Sequence, residues 1–98
     1  MQYRSSRFFV LFVLLSFLLS GCYYFSAKNE IKEAEHMVSQ LKAQGGEKAA
    51  PYEYTSAEKF LEVARIEFSD NDFKVAKGFA TRSKSAAEAG FAEISKKK

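Results

Sequence analysis

The sequence predicts an all-α protein, a small antiparallel three-helix arrangement that follows an N-terminal export signal. After the signal, apolar or small residues recur at alternating spacings of three and four in three separate stretches, which is the period of a packed helix face. No useful length of chain alternates with period two, so strands are not expected. Short segments rich in glycine, proline or asparagine separate the stretches.

The first 21 residues have the layout of a secretory signal peptide. Arg4 and Arg7 form a positive start, and 8–19 is an apolar run of 12 residues with one serine. A membrane-spanning helix needs about 17 to 25 apolar residues, so this run better fits a signal. Two small residues follow, the second being Gly21, as is typical before a cleavage site.

The next feature is the sequence "LSGC", 19–22, which contains the single cysteine of the chain. It resembles the lipobox of bacterial lipoproteins: an aliphatic residue, two small residues and a cysteine. The resemblance implies cleavage between Gly21 and Cys22. It also implies acylation of the Cys22 thiol and of the new amine by chains such as palmitate, which would bind the protein to a membrane.

Two other interpretations of Cys22 stay open. Free cysteine is commonly a buried core residue. The 18 residues 8–25 also carry no charge, so an uncleaved anchor that ends in interfacial Tyr23 and Tyr24 is an alternative. Both membrane readings place the C-terminal part beyond the inner membrane, because the N-terminal arginines stay in the cytoplasm.

Charge and cysteine content exclude some classes of protein. Two of the 15 basic residues lie in the signal, which leaves 13 against 12 acidic residues, so nucleic-acid binding is not expected. A single cysteine forms no intrachain disulfide. A core in so short a chain rarely contributes more than about 3 to 5 kcal/mol, so we expect self-association or a protein partner.

The predicted domain has helices at about 27–43, 51–69 and 72–95, a lipidated linker at 22–26 and a basic tail at 96–98. The residues of the three seams are Ala27, Ile31, Ala34, Val38 and Leu41; Tyr54, Ala57, Leu61, Ala64 and Phe68; and Phe73, Ala76, Ala80, Ser83, Ala87, Gly90 and Ile94.

The first break between helices combines a stop signal with a start signal. Gly45 and Gly46 can end a helix in the left-handed conformation, and Pro51 is favoured at a first helical position. Thr55 with Glu58 forms a capping box and offers a competing start one turn later.

The second break, "SDNDF" at 69–73, is very short. Asn71 suits a left-handed turn position and Asp72 suits a helix cap. Short connections join antiparallel neighbours, and the small residues of the third seam allow close approach, so the last two helices should form a tight hairpin.

The segment 50–94 resembles an uncharacterised alanine-rich family of short bacterial lipoproteins, which have a lipobox, "APxEY", a helix, a "GDY"-like turn and another helix. Asn71 stands where that family usually has glycine. The hairpin also resembles one tetratricopeptide unit. The resemblance implies a helical envelope lipoprotein and a domain of unknown function. The matching residues are Pro51, Glu53, Tyr54, Ala57, Leu61, Ala64, Asp72 and Phe73.

Catalytic motifs are not found, so we expect no enzyme activity, no cofactor and no metal. His36 is the single histidine, and with one cysteine it cannot complete a closed zinc site. The glycine pair is explained as a helix stop rather than a phosphate loop. Nucleophile elbows and catalytic serine patterns are also missing.

Two surface features could bind a partner. Tyr52, Phe60, Phe79 and Phe91 lie beside the seams, where they either widen the core stripe or line a groove for a partner peptide. The lysines at 96–98 either complement the helix dipole or contact an anionic surface.

The expected function is that of an outer-membrane lipoprotein facing the periplasm, a small scaffold or accessory subunit of an envelope complex. Tyr23 is not aspartate, the residue that favours inner-membrane retention in the lipoproteins it resembles. In a Gram-positive host the location would be the outer face of the plasma membrane. The alternatives are a pilotin-like partner-binding lipoprotein, or a membrane-to-peptidoglycan tether through Lys98, as in the murein lipoprotein that the chain also resembles.

Overall fold

The computed structural model describes the backbone of residues 2–98 and the side chains of 7–15 and 22–98. The described chain is helical and contains no strand. The helices are α1 (Gln2–Ala43), α2 (Gly46–Ala49), α3 (Pro51–Ser69) and α4 (Phe73–Lys96). The all-α prediction is confirmed.

Helices α3 and α4 form an antiparallel hairpin, and the second half of α1 packs along it. Ser83 of α4 bonds to Ala57 of α3, while Phe68 and Phe73 meet beside the turn, so the two helices run in opposite directions. Glu30 and Glu33 of α1 contact Thr81 and Lys84 of α4 in the same order along both helices, so α1 and α4 run in parallel. The result is an up-down-up arrangement of three long helices.

The predicted seams form the core. Ser83 is the polar member of this core, and its hydroxyl donates a 2.7 Å hydrogen bond to the Ala57 carbonyl, which satisfies it. Phe68 and Phe73, at the turn, are half-buried and pack against the core. The buried seam residues are Ala27, Ile31, Ala34, Val38, Leu41, Tyr54, Ala57, Leu61, Ala64, Ala76, Ala80, Ser83, Ala87, Gly90 and Ile94.

The first break follows the glycine and proline signals. Gly45 has a φ of 80°, a left-handed conformation that costs glycine little, and its N–H bonds to the Lys42 carbonyl. The single turn α2 follows, and α3 then begins at Pro51 rather than at the capping box one turn later.

The second break is a Schellman-type helix end. Asn71 is left-handed with a φ of 64° and its N–H bonds to Phe68, while the Asp72 N–H bonds to Glu67. Asp72 occupies the N-cap position of α4, but its side chain makes no capping hydrogen bond, so that part of the expectation is wrong. The chain reverses through these backbone bonds, and the Ser69 hydroxyl adds a hydrogen bond to the Ile66 carbonyl.

The segment 22–26 is a correction to the sequence analysis. It is not a linker: α1 is continuous from Gln2 to Ala43, so the first helix does not begin near 27. Tyr24 lies three residues before Ala27 and packs its ring against the hairpin, which extends the seam by one turn. The N-terminal part of α1 exposes apolar side chains from Phe8 to Leu15.

Candidate functional site

The site that the sequence singled out, Cys22, lies on α1 at the end of the domain where α3 turns into α4. Its thiol is free and exposed, so the interpretation of Cys22 as a buried core residue is wrong. Gly21, on the other side of the predicted cleavage point, has no side chain, and the side chains of 16–20 lie outside the described residues.

An open recess lies beside the cysteine. Cys22, Tyr23 and Ser26 of α1 line it together with Lys77 of α4. The ammonium of Lys77 therefore belongs to the same surface as the thiol, although the two residues are 55 positions apart in the chain. This proximity follows from the parallel packing of α1 on α4. The sequence predicted the antiparallel three-helix arrangement but not which residues of α1 and α4 meet.

A cluster of four aromatic rings holds this end of the domain together. The Tyr24 ring centroid lies 5.3 Å from that of Phe68 and 5.2 Å from that of Phe73, and the two phenylalanine rings are 5.1 Å apart. Phe25 approaches Tyr24 edge to face at 5.3 Å. Aromatic pairs at these separations each contribute about 0.5 to 1.5 kcal/mol beyond simple burial.

Tyr24 belongs to this cluster although it was not among the predicted site residues. The signal was present, because Tyr24, Ala27 and Ile31 continue the spacing of three and four toward the N-terminus. The assignment of 22–26 to a lipidated linker left Tyr24 out of the first helix.

The four aromatic candidates for partner binding do not form one surface. Phe60 and Phe79 stack with centroids 6.3 Å apart, and the Arg82 guanidinium lies 5.1 Å above the Phe79 ring. Phe91 is 12 residues beyond Phe79, so it faces a direction about 120° away around α4. Tyr52 is 78% exposed at the start of α3.

Burial separates these rings further. Phe79 and Phe91 are half-buried and pack against the core. Phe60 is half-buried, and its stacked partner is Phe79. Tyr52 alone of the four presents most of its ring to solvent, so it is the one that a partner can contact without any change in the domain.

A charged cluster clamps α1 to α4. Lys84, whose side chain is 24% exposed, donates to Glu33 and to Glu30, the latter at 3.3 Å, and Thr81 donates to Glu30 at 2.9 Å. The hydrogen bond from Lys84, with its positive charge, lowers the pKa of Glu33. The hydrogen bond to Glu33 correspondingly raises the pKa of Lys84 against the opposing effect of burial.

The same kind of contact joins α1 to α3, where Arg65 lies 3.2 Å from Glu35. The carboxylates of Glu30, Glu33 and Glu35 thus pair with lysine or arginine. Among the described residues, no three His, Cys, Asp or Glu side chains are grouped so that they could hold a metal ion. His36 is exposed on α1.

The C-terminal lysines lie at the opposite end of the domain from Cys22. The side-chain ammonium of Lys97 donates a hydrogen bond to the carbonyl of Ala49, which links the end of α4 to α2. Lys98 is exposed. Because α4 rises about 1.5 Å per residue, its 24 residues place Lys98 about 35 Å from the turn next to Cys22.

The fold and these contacts define a small three-helix domain with a tight hairpin, carried at the end of a longer apolar helix. A family model described as a domain of unknown function (DUF4398) matches residues 29–97, and the chain belongs to this family. No curated protein and no solved structure gives a significant match. Within the described part of the chain, no helix has the length and apolar character of a membrane span.

Proposed function

We propose that the chain is a lipid-anchored envelope protein. In this proposal the signal 1–21 is removed, Cys22 is acylated, and the helical domain faces the periplasm as a small scaffold or accessory subunit of an outer-membrane complex. The observation that carries the proposal is the exposed thiol of Cys22, at the junction between the apolar part of α1 and the helical domain.

The accessibility of the thiol matters because acylation requires it. A modifying enzyme at the membrane surface must reach the sulfur, and a buried thiol would have to unfold first. Each methylene buried in the bilayer contributes about 0.8 kcal/mol, so two or three acyl chains give stable anchoring where one gives marginal binding.

The test of the anchor is Cys22→Ser, with Ser26→Ala as the control on the same side of α1. The expected result for Cys22→Ser is an unprocessed precursor with no incorporated palmitate, while the control is processed and labelled like the parent. Intact mass and metabolic labelling measure both. A Cys22→Ser protein with the mature mass would contradict the proposal.

The scaffold role requires a partner surface, and Tyr52 is the first residue to test. We expect Tyr52→Ser to reduce crosslinking to a partner in native envelopes without a change in melting temperature, because the side chain is largely exposed. The crosslinking and melting temperature of Tyr52→Ser are compared with those of the double variant Phe60→Ser with Phe79→Ser, which removes a stacked pair and a core contact. Crosslinking followed by mass spectrometry would also identify the partner, including the client protein if the chain is a pilotin-like lipoprotein.

A second candidate function is a tether to peptidoglycan through Lys98, which the distance of about 35 Å between the two ends of the domain favours. The test is a digest of detergent-boiled cell-wall sacculi. The tether requires a C-terminal peptide in which the Lys98 amine carries a muropeptide, and deletion of Lys98 must remove it. Complete recovery of the protein in the detergent-soluble fraction would exclude this function.

A further inference from the structure

We infer that the end of the domain around Cys22 is itself a membrane-contacting surface that rests on phospholipid headgroups and holds the domain upright. We name this surface the collar. Its residues are Tyr23, Phe25, Lys28, Lys74 and Lys77. The inference rests on the proposed function, because the membrane must lie at this end, but an uncleaved N-terminal anchor would place it at the same end.

In the part of the chain that the structure describes, no flexible joint separates the domain from Cys22. Helix α1 is continuous through Cys22, and the Tyr24 ring is wedged against Phe68 and Phe73. The turn between α3 and α4 is therefore fixed beside α1. Tyr23 lines one recess with Asn71, Asp72, Phe73 and Lys74 of that turn.

Two exposed aromatic rings lie close to Cys22. Phe25 is 66% exposed and Tyr23 is 40% exposed, and both lie within three residues of Cys22. That separation is at most about 4.5 Å along the helix axis. Acyl chains bonded to the Cys22 sulfur would enter the bilayer at this end of the helix, which places the two rings close to the interface. Aromatic side chains are favoured at that depth.

Three lysines lie at this end of the domain. The Lys28 ammonium lies 5.9 Å from the Tyr24 ring, and Lys74 and Lys77 each line a recess beside Tyr23. Ammonium groups close to an anionic lipid surface are attracted to its phosphates. Asp70 and Asp72 on the turn oppose this attraction, so the rings carry the contact and the lysines orient it.

The domain is then held rigidly at the membrane surface and is not free to move on a flexible linker. With the turn at the headgroups, α4 leads away from the bilayer for about 35 Å. Helix α2 and the C-terminal lysines are then held at a fixed height, which is where a protein partner or the cell wall would meet them.

The experiment uses the processed, lipid-modified protein in vesicles of phosphatidylethanolamine and phosphatidylglycerol with brominated acyl chains. Single cysteines at Asp70→Cys and Lys98→Cys carry an environment-sensitive fluorophore, and the parent protein is the labelling blank, because an acylated Cys22 does not react. We expect several-fold stronger quenching at position 70 than at position 98. Equal quenching at both positions in protein that floats with the vesicles would overturn the collar and leave the anchor intact.

Further variants test the rings. In the Asp70→Cys background, Phe25→Ser or Tyr23→Ser should lower the quenching, while Tyr52→Ser at the far end should leave it unchanged. Both collar residues are exposed, so circular dichroism should stay as in the parent. Undiminished quenching in both collar variants would overturn the role of the rings.

One result would overturn the anchor and not the collar: a parent protein that takes up label, because its Cys22 thiol is then free, and that still floats with the vesicles. A protein that fails to float with the vesicles at all would overturn both the anchor and the collar.

Discussion

The two ends of the three-helix domain are held together by opposite kinds of packing. At the far end, Leu41 lies fully buried between Gly46 and Gly90, and its side chain is so close to both glycines that neither has room for a further carbon. At the end near Cys22, the contact between helices is made by large rings, among them Tyr24 and Phe68, that stay partly exposed.

The difference shows that helices of one fold can be held in contact in two ways. Glycines allow close approach at one end, and large aromatic side chains fill the space between helices at the other. The glycine end has the density of a protein interior and tolerates little change in volume. The aromatic end gains stability from ring contacts and leaves apolar surface available at the position where a membrane is proposed to lie.

The largest expected effect is at the far end, from Leu41→Ala. Truncating a fully buried leucine leaves a cavity and should lower the free energy of unfolding by about 3 kcal/mol. A core of this size supplies only about 3 to 5 kcal/mol, so the variant should be close to unfolded at 37 °C. Urea unfolding followed by circular dichroism measures the loss.

The control for Leu41→Ala is Ile66→Ala, at a position that is half exposed on α3. Exposed substitutions usually change the unfolding free energy by no more than about 0.5 kcal/mol. Equal losses in the two variants would mean that Leu41 is not the central contact of the far end.

The next effect tests the aromatic end through Tyr24→Ala. This change removes ring contacts with Phe25, Phe68 and Phe73, and we expect a loss of about 2 kcal/mol because the ring is only partly buried. Relative to the parent, the rate of amide hydrogen exchange should increase more around the turn at 70–72 than around α2. Uniform acceleration over the whole domain would show that the two ends are not separate units.

A matched pair of glycines in α4 tests the close approach at the far end. A Cβ on Gly90 would lie 2.7 Å from Leu41 Cδ2 and 3.4 Å from the Glu53 Cβ, whereas a Cβ on Gly78 would meet nothing within 4 Å. Gly90→Ala should therefore cost about 1 to 2 kcal/mol through overpacking. Gly78→Ala should raise stability by up to about 1 kcal/mol through helix propensity.

Thermal unfolding of the two variants, measured side by side, gives the sign of each effect. Because both glycines are in the same helix, propensity contributes equally to both. A gain in melting temperature for Gly90→Ala as large as that for Gly78→Ala would show that the far end has room for a methyl group.

The smallest expected effect concerns the charged cluster that lies between the two ends. Lys84→Met leaves Glu30 and Glu33 without their shared cation, and we expect a loss of about 1 kcal/mol at neutral pH. Lys59→Met is the control, because Lys59 and Glu62 are well exposed and 3.7 Å apart. Its expected loss is at most a few tenths of a kcal/mol.

The pH dependence of this cluster has a defined sign. The pKa of Glu33 is lowered in the folded protein, so its contribution to stability is present above the ordinary value of 4.5 and is lost as pH falls through the folded value. The pKa of Lys84 is raised, so its contribution persists above 10.5 and is lost at still higher pH. The stability difference between the parent and Lys84→Met should shrink below pH 4.5, and a constant difference would contradict the pairing.

The sequence by itself determined the helices and the faces they bury. The spacing of residues such as Ala57, Leu61 and Ala64 marks one side of a helix, and Pro51 marks a start, because these are local properties of the chain. For the same reason the hairpin followed from the short connection around Asn71. The exported, acylated Cys22 stays a prediction, because processing is chemistry that a folded chain does not display.

Only the tertiary structure decided how the helices stand against one another. The parallel packing of α1 on α4 brings Lys77 beside Cys22 and Lys84 between two carboxylates, and these pairs are separated by about 50 residues of chain. Tyr24 belongs to the domain because its ring packs against Phe68 and Phe73, which lie on other helices. Periodicity specifies which face of a helix is buried, but the partner of that face is set by packing over the whole core.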